Sequence, residues 1–96
     1  DEVLAVDQDS LGKPGRCVAR GDGFLIYKKP LEDGSIAVGL FNTAEDTATV
    51  TAKWSDLKIH GSRHVRDLWR QKDLGQFKNE FSMTVAPHSA ELVKIK

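Results

Sequence analysis

Between Ser35 and Asn42 the chain reads Ser-Ile-Ala-Val-Gly-Leu-Phe-Asn, an apolar run that only Gly39 interrupts. The run is too short for a helix and starts at the turn residues Asp33-Gly34, so it predicts a strand covered on both faces. Upstream, Arg16 to Arg20 and Phe24 to Tyr27 flank Gly21-Asp22-Gly23, a hairpin signal in which glycine supplies positive φ. Glu32-Asp33-Gly34 is a second tight turn, so these three strands form an antiparallel meander. Downstream, Thr47 to Trp54 alternates cleanly. Ala48, Val50, Ala52 and Trp54 share one face, with threonines and Lys53 on the other, as in a strand buried on one side.

Ser55-Asp56-Leu57 and His60-Gly61-Ser62 then turn the chain into His64-Val65-Arg66-Asp67-Leu68-Trp69. Alternation there puts Val65, Asp67 and Trp69 on one face and sends Arg66 and Arg70 to the other. Lys72-Asp73-Leu74-Gly75 reads as a further turn. Phe77 to Val85 alternates again, with Asn79-Glu80 a bend that leaves one strand or two. Ala86-Pro87-His88-Ser89 breaks the pattern before a last strand, Ala90 to Ile95. About eight short strands with no helical stretch predict an all-β fold, an antiparallel β-sandwich with Greek-key connections. Residues 16–96 are expected to form this domain. Residues 1–15, with an apolar patch at Val3 to Val6 and breakers at Gly12, Pro14 and Gly15, are expected to be a leader lying on another surface.

Composition narrows the function classes. With 96 residues there is room for one core. Lys plus Arg equals Asp plus Glu at 14 each, which argues against a phosphate-binding surface and so against nucleic acid as partner. No apolar run approaches the ~20 residues of a membrane helix, and no membrane partner is expected. Asp1-Glu2-Val3-Leu4 lacks the basic and apolar regions of a signal peptide, and the absence of an initiator Met points to a piece of a longer chain. Cys17, the single cysteine, cannot form an internal disulfide and is expected to be a small packed residue.

Candidate chemistry is sparse. Asp7 and Asp9 flank Gln8 in a polar turn, which gives neither the fixed geometry that acid catalysis needs, so turn formation is the expected role. Asp67, an acid among apolar neighbours, must be hydrogen-bonded or paired. His60, His64 and His88 lack metal-ligand spacing, and neither a metal nor any other cofactor is expected. No nucleophile elbow or phosphate loop occurs. Tyr27, Trp54 and Trp69 are candidates for an aromatic platform against a sugar ring, although both tryptophans fall on faces where core packing is the default.

Several stretches, taken in order, resemble the C-terminal domain of family 27 glycoside hydrolases, the α-galactosidases. Glu2 to Gly12 is similar to the segment that leaves the catalytic barrel of that family, with Ser10 where the family usually has Pro. Ile36 to Asn42, Trp54-Ser55-Asp56-Leu57, Val65-Arg66-Asp67-Leu68-Trp69 and Ala86-Pro87-His88-Ser89 follow in the family's order. The resemblance implies an accessory β-sandwich whose N-terminal (β/α) barrel, in the same parent chain, carries both catalytic aspartates. No residue here matches those motifs, so no catalytic residue is assigned. It further implies a parent that is secreted, periplasmic or lysosomal, and leaves galactosides as a possible ligand of this domain.

Overall fold

The computed structural model describes residues 15–96, so the expected leader lies outside the described residues except for Gly15. Eight strands follow: β1 (Arg16–Gly21), β2 (Phe24–Pro30), β3 (Ile36–Asn42), β4 (Ala48–Lys53), β5 (Ser62–Asp67), β6 (Lys72–Lys78), β7 (Glu80–Val85) and β8 (Ser89–Ile95). They form a six-stranded sheet in the order β1-β2-β3-β8-β5-β6 and a two-stranded sheet, β4-β7. Every pairing is antiparallel. The chain crosses to the small sheet twice and returns each time, which places β8 between β3 and β5. The predicted all-β sandwich is what the chain forms.

The meander β1-β2-β3 appears as expected, its turns made by Gly23 at φ 82° and Gly34 at φ 87°. Strand β3 is interior to the large sheet. Ile36, Val38 and Leu40 point toward β4 and β7 and join Ile26, Val50, Ala52, Val65, Phe81, Val85, Val93 and Ile95 in the main core. Its other face is covered in part: Ala37 packs with Leu31, Leu68 and Leu92 in a second, smaller cluster. At Gly39 a Cβ would lie 2.8 Å from the Phe41 ring, so glycine makes room for that ring on the outer face. Asn42 closes the strand. Its amide donates to Asp46 O and Val85 O and accepts from the Ala44 N–H, tying the β3–β4 connection to β7.

Four details differ from the sequence pattern or decide what it left open. First, β4 stops at Lys53 and Trp54–Leu57 forms one helical turn, α1, ended by Lys58 at φ 59°. A single turn shows no 3.6-residue periodicity, but its i, i+3 spacing buries both Trp54 and Leu57. Second, β5 ends at Asp67 and the reversal falls at residues 68–71, with Gln71 at φ 54°. Lys72 to Gly75, read as a turn, instead starts β6, where Gly75 at φ 104° adjoins a bulge at Leu74. Third, Asn79 at φ 72° separates β6 from β7 as two strands. Fourth, Cys17 is exposed on the edge strand β1 beside a bulge at Val18, because the bulge breaks the alternation that would have turned it inward.

Candidate functional surfaces

The three candidate aromatic residues are dispersed. Trp54 is only 3 % exposed, sits in the core, and donates its indole N–H to Gly61 O at 3.0 Å. Trp69, expected on a core-facing strand position, is 55 % exposed, because β5 ends two residues earlier and the reversal swings it outward. Tyr27 is 38 % exposed on the outer face of the large sheet, directly across from Gly39, with its ring edge-on to Phe41 at 5.5 Å between centroids. Phe41 is itself 36 % exposed and was not singled out by the sequence pattern, which shows apolarity but not which face is left uncovered.

Asp67 is 2 % exposed and fully engaged. Its Oδ1 accepts the Arg70 backbone N–H at 3.0 Å and its Oδ2 accepts from the Arg70 guanidinium at 2.7 Å. The same guanidinium reaches Glu91 at 2.7 Å, which holds the Arg70 proton more tightly than usual, through Glu91 first and Asp67 second. Strand alternation sends Arg70 away from Asp67, but the tight reversal brings it back. The result is a braced turn that carries Trp69 outward. Two carboxylates converge here, as a glycosidase requires, yet an arginine fills the space between them. That geometry holds the loop in place.

Other titratable groups serve turns and edges. The Asp33 carboxylate accepts from Ser35 Oγ and Ser35 N and pairs with Lys94 Nζ at 2.9 Å. Those contacts, the Ser35 hydroxyl foremost, hold its carboxyl well below the usual carboxylate range. Asp73 is also lowered, by Arg66 first and then His64, whose Nε2 lies 3.2 Å away. His88 Nε2 approaches Glu45 at 3.3 Å, and the His60 carbonyl accepts from Arg63. Among the described residues no three His, Cys, Asp or Glu side chains are grouped to hold a metal.

A hollow of about 530 Å³ opens between β1, β2 and α1, with Arg16, Lys28, Lys58 and Asp56 around it. Lys28 donates to Leu57 O. A shallower one of about 340 Å³ lies over Trp54, Gly61 and Asn79.

Residues 21–95 match the family described as the alpha-galactosidase C-terminal beta-sandwich domain. An alpha-galactosidase of Oryza sativa subsp. japonica is 39 % identical over 93 residues, which is 95 % of this chain and 22 % of that protein. Alpha-galactosidase I of Mortierella vinacea superposes with a TM-score of 0.93 at 32 % identity, over 98 % of this chain and 26 % of the other. A GH27 β-L-arabinopyranosidase of Geobacillus stearothermophilus gives 0.91, also at 32 % identity, over 99 % of this chain and 21 % of the other. This chain thus spans about a quarter or less of these relatives. The two-sheet sandwich, the superposition on these enzymes and the match over residues 21–95 agree: the chain belongs to the alpha-galactosidase C-terminal beta-sandwich domain family.

Proposed function

We propose that this sandwich is the non-catalytic accessory domain of a glycoside hydrolase acting on terminal α-galactosides, and that it packs against the catalytic domain of the same parent chain and stabilises it. The supporting observation is one of proportion. The likeness covers nearly all of this chain but only 22 % of the Oryza sativa enzyme, so most of that enzyme lies outside the likeness. The local chemistry agrees, since the converging acids Asp67 and Glu91 are bridged by Arg70.

A second reading, a carbohydrate-binding module, draws support from exposed Trp69 and Tyr27. One experiment addresses both. The 96-residue chain is mixed with an aryl α-galactoside and, separately, titrated with galactose while tryptophan emission is followed. Buried Trp54 emits at short wavelength and exposed Trp69 at longer wavelength, so a Trp69→Phe variant assigns any response. The accessory reading expects no hydrolysis and no saturable change. Hydrolysis by this chain alone contradicts it, and a saturable shift lost in Trp69→Phe replaces it with the module reading.

A further inference from the structure

We draw no further inference here: the strongest candidate, the surface patch of Tyr27 and Phe41 on the outer face of the large sheet, is an apolar face with nothing in the structure to show what covers it.

Discussion

Asp67 and Arg70 divide their work unequally. The carboxylate is buried whereas the guanidinium is largely exposed, so losing one partner differs from losing the other. Asp67→Ala frees Arg70 to remain solvated and leaves only the Arg70 backbone N–H without its acceptor. That change costs about 1–3 kcal/mol by the usual penalty for a lost buried hydrogen bond. Arg70→Ala strands a buried carboxylate with a single backbone donor and costs at least as much, because a buried charge without its partner is the more expensive remnant. Urea denaturation of both variants checks the order. A smaller loss for Arg70→Ala than for Asp67→Ala contradicts the assignment of Asp67 as a buried anion braced by Arg70.

Among elements, the hairpin joining β2 and β3 illustrates how a turn is tied into the sheet. Asp33 accepts from Ser35 beside it and reaches Lys94 of β8, so one carboxylate links the hairpin to a third strand. Its folded proton affinity is depressed. The stabilisation is therefore fully present above the unfolded carboxylate range, near pH 4, and disappears as pH falls through the lower folded value. Asp33→Asn is accordingly less stable than the wild type at neutral pH, with the gap closing as pH falls from about 5 to about 2. Melting temperatures taken across that interval test this, and a gap that stays constant with pH rules it out.

Elements also show what a pattern of residues can reveal. The strands with clean alternation, β4 and β7, and the continuous apolar strand β3 are legible because burial on one or two faces writes itself into the period. The turns at Gly23 and Gly34 are legible because they need positive φ. The β5–β6 connection is not. Its reversal depends on Asp67 capturing Arg70, a contact made only once the chain has turned, while Lys72-Asp73-Leu74-Gly75 has turn composition yet forms a bulged strand. Trp69 was misplaced for the same reason. The α1 turn is hidden because one turn carries no period. Both edges of the large sheet, β1 and β6, carry a bulge, which blunts the unpaired backbone they would otherwise present to another strand. Of the candidate surfaces, apolarity marked Tyr27 and Trp69 as aromatic residues, but exposure is a property of the packed sheets. The basic hollow unites residues 16, 28 and 58, which no local pattern connects.

Across the described residues, the sandwich has a continuous core between its two sheets, with Trp69, Tyr27 and Phe41 exposed and a hollow bordered by Arg16, Lys28 and Lys58. Its likeness to an α-galactosidase and to a β-L-arabinopyranosidase is nearly equal, at 32 % identity each. Enzymes named for different sugars thus carry a domain of this fold. The proposed packing of the domain against the rest of its parent is tested by differential scanning calorimetry of the full-length parent beside the 96-residue chain. The sandwich is expected to unfold at a higher temperature in the parent than alone, together with the catalytic domain. Two independent transitions, with the sandwich melting in the parent at the temperature it shows alone, would contradict it.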